Sequence, residues 1–205
     1  MKIAIVDYGA GNIQNVVKAI ASTGLDTVVT KDSTEISQAD GLVVPGVGAF
    51  ARAMDKLADA GLVEVIQDFA KTGKPILGLC LGMQLLFDSS SEFGATKGLG
   101  LIPGQVVALP KQVDYKVPQM GWNQNRVSQD LPITEAISGQ YTYFVHSYYA
   151  QTDPQYIAAW VDYGSVKVPS VVVKDNVMGA QFHPEKSGPV GLAMWERFKE
   201  MVVGA

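Results

Sequence analysis

The sequence predicts an α/β fold, with a mostly parallel central sheet covered by helices and carrying an antiparallel extension. Two observations predict it. In the N-terminal half, short apolar runs alternate with stretches whose apolar residues recur at helix spacing, which implies right-handed crossovers between parallel strands. In the C-terminal half, strand-like runs follow one another with short connections, as antiparallel pairing requires.

The elements follow in order along the chain. Ile3 to Val6 reads as a buried strand, and Ile13, Val16, Val17 and Ile20 as a helix that Gly24 ends. Thr27 to Thr30 and Gly41 to Val44 are the next strands, the latter closed by Pro45-Gly46. Leu62, Val65, Ile66 and Phe69 form a second helical stripe, ended by Gly73. Pro75 to Leu79 is a fourth strand, Leu81 to Phe87 a helix, and Ser89-Ser90-Ser91 a short polar loop. Strands are then expected at Gln105 to Leu109, Thr142 to Ala150, Ile157 to Asp162, Val171 to Lys174 and Val177 to Phe182, before a last helix over about Val190 to Val203. No repeat or long linker interrupts the 205 residues, so one domain spanning 1–205 is expected.

Composition narrows the function classes. Hydrophobic residues make up 47% and charged residues 18%, an ordinary globular balance. The formal charge is −4 with no basic block, which argues against nucleic acid or an anionic membrane as partner. One cysteine excludes an internal disulfide, and with only two histidines a structural zinc site has too few ligands. The apolar start M-K-I-A-I-V stops at Asp7, too short for a signal segment, and no later run approaches a membrane span. A cytoplasmic location is the expectation.

The stretch P-I-L-G-L-C-L-G-M-Q-L-L-F carries the most chemistry. A strand runs into Gly78-Leu79-Cys80-Leu81-Gly82 and a helix follows at once, the G-x-nucleophile-x-G elbow with cysteine as nucleophile. The glycines remove Cβ atoms that would clash in so sharp a turn. The helix N-terminus places partial positive charge beside the thiol and favours thiolate. A buried, inert cysteine is the competing reading, and the strand–elbow–helix context counts against it.

A cysteine hydrolase needs a base. His183 lies in Q-F-H-P-E, where Pro184 disfavours helix at His183. In an extended segment the side chains of His183 and Glu185 point the same way, so the carboxylate can orient the imidazole. His146, in Y-F-V-H-S-Y, has no acidic neighbour in sequence and reads as a hydrogen-bonded histidine near a strand end. Gly46 and Gly48 in P-G-V-G-A-F allow close approach of backbone to a ligand. An oxyanion hole is expected from a backbone N–H near Val47 or Gly48 together with that of Leu81. The same segment fits G-x-G-x-x-A, a dinucleotide fingerprint. It follows the third strand rather than the first, however, and the acids at the right distance, Glu64 and Asp68, lie on a helix.

Cys80, His183 and Glu185 in that chain order, with H-P-E, resemble the class I, triad-type glutamine amidotransferases. D-Y-G-A-G-N, P-G-V-G-A-F, G-L-C-L-G-M-Q, G-L-G-L-I-P-G, P-Q-M-G-W-N, Y-F-V-H-S-Y and F-H-P-E-K-S-G resemble one branch, the glutaminase subunits of imidazole glycerol phosphate synthases, in that family's order and over nearly the whole chain. The resemblance implies a three-layer, flavodoxin-like sandwich with a nucleophile elbow. It implies that L-glutamine is hydrolysed through a thioester on Cys80, without metal or cofactor. The ammonia would be channelled to a separate TIM-barrel cyclase subunit in a heterodimer, which forms imidazole glycerol phosphate and an aminoimidazole carboxamide ribotide in histidine biosynthesis. By matching motif, Gly48, Gln84, His146, Ser147 and Tyr148 would hold glutamine, and Trp122, Tyr143 and Lys186 would lie at the cyclase interface. It further implies that the P-G-V-G backbone reorients when the cyclase is liganded, a flip that two glycines around Val47 make cheap. Glutaminase subunits of other synthases, such as those of anthranilate or pyridoxal phosphate formation, stand-alone Cys-elbow hydrolases and a non-catalytic nucleotide-binding module are the alternatives. M-G-W-N and H-P-E-K-S-G count against the first of these.

Overall fold

The computed structural model describes residues 1–205. β1 (Lys2–Val6), α1 (Ile13–Ala21), β2 (Asp26–Thr30), α2 (Ser33–Gln38) and β3 (Gly41–Val44) are followed by α3 (Phe50–Asp59), α4 (Leu62–Lys71), β4 (Ile76–Leu79) and α5 (Leu81–Leu85). Then come β5 (Phe87–Ser90), β6 (Thr96–Lys97), β7 (Ile102–Ala108), β8 (Gln119–Gln124), β9 (Arg126–Val127) and α6 (Pro132–Glu135). The chain ends with β10 (Tyr141–His146), β11 (Tyr148–Gln151), β12 (Ile157–Tyr163), β13 (Val166–Lys174), β14 (Val177–Ala180) and α7 (Gly188–Val203).

The main sheet has eight strands in the order β2-β1-β3-β4-β14-β13-β12-β9. The first five run parallel, and β13, β12 and β9 continue as the antiparallel extension. Both faces are buried, so the parallel strands read as unbroken apolar runs. The two-residue side-chain period divides those runs between two cores. Ala4, Val6, Leu42 and Val44 face α3 and α4 through Phe50, Leu57, Ile66 and Phe69. Ile3, Ile5, Val43, Leu77 and Leu79 face α1 and α7 through Val16, Ile20, Trp195 and Phe198. The result is a three-layer sandwich, as the family resemblance implies, around the mostly parallel sheet with an antiparallel extension that the residue pattern predicts.

Several elements differ from the sequence reading. The helix expected over Leu81 to Phe87 stops at Leu85, and the serine segment expected as a loop is largely strand, with Ser89 and Ser90 in β5. The carbonyls of Leu85, Leu86 and Phe87 are taken by the N–H groups of Leu99, Leu101, Ile102 and Gly100, so a returning segment replaces the next helical turn. The single strand expected over Thr142 to Ala150 is two. β10 pairs with β8 and β11 with β7, and the chain changes sheet at Ser147. α2, α3 and β8 are elements that the sequence reading does not assign, although Phe50, Ala53, Met54 and Leu57 of α3 stand at helix spacing. α2 is held by Asp32, whose carboxylate accepts the N–H groups of Thr34 and Glu35. No helix is long and apolar enough to cross a membrane.

Candidate active site

β4 delivers Cys80 to the C-terminal edge of the parallel strands, and α5 begins at the next residue. Cys80 adopts φ 52 and ψ −109, a positive φ that costs a non-glycine residue about 1–3 kcal/mol. The turn is over-determined by its surroundings. The Cys80 N–H donates to the Ala180 carbonyl at 2.8 Å, and its own carbonyl accepts from the Gln84 N–H at 3.2 Å. A Cβ on Gly82 would fall on the Val44 carbonyl, and one on Gly78 would meet the Gly82 backbone. Gly78 therefore serves the sharpness of the turn, the role the sequence assigns to both glycines, whereas Gly82 serves the close packing of the elbow against β3. Leu81 is the first residue of α5, so its N–H has no partner within the helix.

His183 follows β14 in extended geometry, tied by its N–H to the Tyr143 carbonyl at 2.9 Å. Its Nδ1 lies 2.8 Å from Glu185 Oε1. The route differs from the one expected: Pro184–Lys186 form a short 3-10 turn rather than a continued strand. The proline presets the first residue of that turn, and the Lys186 and Ser187 N–H groups close it on the His183 and Pro184 carbonyls. Glu185 is buried beneath the histidine and receives a second donor, Asn12 Nδ2, at 2.6 Å. Asn15 Nδ2 donates to Asn12 Oδ1 at 2.6 Å, which fixes which end of the Asn12 amide faces the carboxylate.

Burial disfavours the His183 cation, but the hydrogen bonds and negative charges of Cys80 and Glu185 outweigh it and raise the imidazole to about 9. His183 Nε2 is buried and makes no aligned bond, so the sulfur is within interaction range but not in closed bonding geometry. The raised value means that the folded chain binds this proton more tightly than the unfolded one. Its contribution to stability is complete below about pH 6.5 and is lost as pH rises through about 9. Cys80→Ala removes two of the causes, so NMR titration of the His183 ring should give a lower pKa in that variant than in the parent chain.

A cavity of about 440 Å³ opens above Cys80. Of the residues expected in the site, Val47, Gly48, Leu81, Gln84, His146, Ser147 and Tyr148 line it beside Cys80 and His183. Glu185 stands behind His183 and does not line this cavity. Gln84 gives its amide nitrogen to the Tyr148 carbonyl at 2.9 Å and to Gln181 Oε1 at 3.1 Å, which leaves its own oxygen for a ligand. His146 lines the cavity and is hydrogen-bonded at the end of β10. Its Nδ1 bonds the Tyr148 carbonyl at 2.8 Å, and burial lowers it to about 4, so it is neutral at physiological pH. Lys186 also reaches the cavity rim, with Nζ 5.9 Å from the Tyr143 ring centre. Trp122 lies outside the cavity. It is 53% exposed and packs edge-on against Tyr143 at 5.9 Å between centroids.

Four contributors escaped the sequence reading. Asn12 donates to Glu185, and Gln181 places its amide nitrogen beside Cys80 Sγ. Glu92 is a buried carboxylate that accepts the Phe50 N–H and faces the cavity. The Tyr8 hydroxyl donates to the Pro45 carbonyl at 2.6 Å and so pins the start of the P-G-V-G loop. Burial and the charge of Cys80 keep that phenol protonated, its pKa raised. Of the four, Tyr8, Asn12 and Gln181 sit inside motifs that the sequence singles out, D-Y-G-A-G-N and Q-F-H-P-E, and only Glu92 lies outside them. The dinucleotide reading of the same loop finds little room: a Cβ on Gly46 would meet the Gly82 nitrogen and the Tyr8 hydroxyl, and Glu64 and Asp68 point to solvent on α4.

Comparison with known proteins agrees with this geometry. Residues 4–200 match the model of the family described as glutamine amidotransferase class-I. The imidazole glycerol phosphate synthase subunit HisH of Listeria monocytogenes serotype 4a (strain HCC23) is 50% identical, over 97% of this chain and 95% of its own. The protein of the same name from Lacticaseibacillus casei (strain BL23) is 54% identical over the same shares. Among solved structures, a glutamine amidotransferase superposes with a TM-score of 0.75 at 16% identity over 98% of each chain, a likeness of fold. With family match, close relatives and fold in agreement, the chain belongs to the class-I glutamine amidotransferases.

Proposed function

We propose that this chain is the glutaminase subunit of an imidazole glycerol phosphate synthase, active as one domain over residues 1–205 in the cytoplasm. The observation that carries the reading is the convergence of Cys80 and His183 on one cavity, with Glu185 bonded to His183 from behind, in a chain about half identical to proteins named HisH. L-Glutamine enters with its side-chain amide over Cys80. The cavity offers Glu92 as the one acid for the substrate ammonium, and Gln84 Oε1, Ser147 and the Tyr148 segment for its remaining polar groups. The Cys80 thiolate attacks the amide carbon, and the oxyanion forms against the N–H of Leu81 and that of Val47 or Gly48. Each such donor is worth about 3 kcal/mol in the transition state. The His183 imidazolium protonates the departing nitrogen, and ammonia leaves a thioester on Cys80. Neutral His183 then takes a proton from water, which attacks the thioester and expels the thiolate and glutamate. Glu185, held by Asn12, keeps the Nδ1 proton in place throughout.

Ammonia passes to a separate TIM-barrel cyclase subunit, the other half of a heterodimer. Channelling has a chemical reason: free in neutral water, ammonia is mostly protonated and no longer nucleophilic. The exposed face of the two-stranded β8–β10 sheet, with Met120, Trp122, Tyr141 and Tyr143, supports a docking surface there, with Lys186 beside it. The test is glutamine hydrolysis by the chain alone, with the cyclase, and with the liganded cyclase. Activity should rise at each step, and Trp122→Ala should weaken cyclase binding at least tenfold, by about 1.4 kcal/mol or more. Full activity of the isolated chain would overturn the coupling, and ester or peptide hydrolysis in its place would point to a stand-alone hydrolase.

A further inference from the structure

Gln181 is fully buried, and its side chain lies between two residues of the site. Its Oε1 accepts from Gln84 Nε2 at 3.1 Å, and its Nε2 lies 3.9 Å from Cys80 Sγ. Which end of this amide faces the sulfur is settled by the far end of the chain of bonds. The Tyr148 carbonyl can only accept, so Gln84 must present its nitrogen there. That same nitrogen also meets Gln181, which must then offer its oxygen to Gln84 and its NH2 to Cys80. On the other side of the sulfur, the Val145 carbonyl stands at 3.9 Å and can only accept an S–H. The sulfur thus has an acceptor for its neutral form and a neutral, non-titrating donor for its anion.

We propose that Gln181 is a further catalytic residue, which donates to Cys80 Sγ and holds the thiolate, with Gln84 as the positioning residue that fixes the polarity of its amide. The role rests on the glutaminase reading for its purpose. His183 exchanges its proton at each step, whereas the Gln181 donor stays on the sulfur whenever the C–S bond forms or breaks. A donor to an ionised acceptor is worth more than one to a neutral acceptor, so the bond strengthens as charge collects on sulfur. The titratable groups facing Cys80 are His183, with Glu185 behind it, Tyr8 on the loop side, and His146, Glu92 and Lys186 around the cavity. None of them is altered by a substitution at Gln181.

Cys80 is the sole cysteine, so alkylation by iodoacetamide reports on it alone. Alkylation rates of the full chain are measured by intact mass from about pH 6 to about pH 10. In Gln181→Met, which keeps the volume and removes the donor, the rate at about pH 7 should fall roughly tenfold, while at about pH 10 it stays within about twofold of the parent. Gln181→Glu, which turns an acceptor toward the sulfur, should fall further at neutral pH. Should Gln181→Met not fold, Gln181→Asn withdraws the donor by one methylene and gives the same readout. Profiles that superimpose on the parent overturn the proposal. Glutamine hydrolysis by Cys80→Ala would instead overturn the glutaminase reading itself, so the two failures are distinguishable.

Discussion

Cys80→Ala should lower glutamine-dependent turnover of the assembled synthase by about four orders of magnitude or more, and leave ammonia-dependent turnover by the cyclase intact. The magnitude follows from the loss of a nucleophile whose partners, His183 and Glu185, act only through it. Their contributions are not additive, so His183→Ala or Glu185→Gln added to Cys80→Ala should cost little more. The fold should survive, because the substitution removes one buried sulfur and leaves the elbow backbone, with the Cys80 N–H on Ala180, in place. The two nitrogen sources separate this outcome from general damage: a misfolded subunit that fails to dock loses glutamine-dependent turnover too, but also changes the complex measured by sedimentation. Persistence of glutamine hydrolysis would refute the triad.

The second large effect is structural. Gly82→Ala places a methyl group on the Val44 carbonyl, where both partners are backbone. No rotamer relieves this, so either α5 or the end of β3 must move. The loss of stability should reach about 3 kcal/mol or more, which in a chain of this size lowers the thermal midpoint by roughly 10 °C. Activity should fall by a further route, since β3 leads into the Pro45–Gly48 loop and α5 carries the Leu81 N–H. Gly61→Ala is the control. That glycine has φ +68 but nothing near its Cβ position, so only the conformational cost of about 1 kcal/mol applies. Equal midpoints for the two variants would show that the elbow is not tightly packed against β3.

The pH behaviour of the two histidines follows from the same packing. Both are buried, and burial alone would lower both. His146 has only a carbonyl beside Nδ1, which cannot offset burial, and it remains neutral. His183 has a carboxylate below and a sulfur above, which together outweigh burial and raise its imidazole. The sequence distinguished them by one feature, an acid two residues from His183, and that acid is one of the two groups, with Cys80, that raise its imidazole.

What the sequence determined by itself is local or periodic. Unbroken apolar runs marked β1, β3 and β4 as strands buried on both faces. Gly78 and Gly82 around Cys80 marked a sharp turn, because no other residue fits there. H-P-E placed a carboxylate within reach of an imidazole, although the reach is made by a 3-10 turn and not by an extended strand. The motif set, read together, pointed to the family. What only the tertiary structure decided depends on long-range contacts that leave no periodic trace. Asn12 reaches Glu185 across 173 residues because α1 and the turn after β14 share one edge of the sheet. Glu92 faces the cavity because β5 replaces the end of a helix, once the 99–102 segment has taken the carbonyls of Leu85 to Phe87. Gln181 meets Cys80 because β14 lies beside β4, and the direction of its amide is set by a carbonyl on β11. A polar residue within an apolar run looks like an irregularity in sequence. Its hydrogen-bond partners, which the burial of every polar group demands, exist only once the sheet has formed.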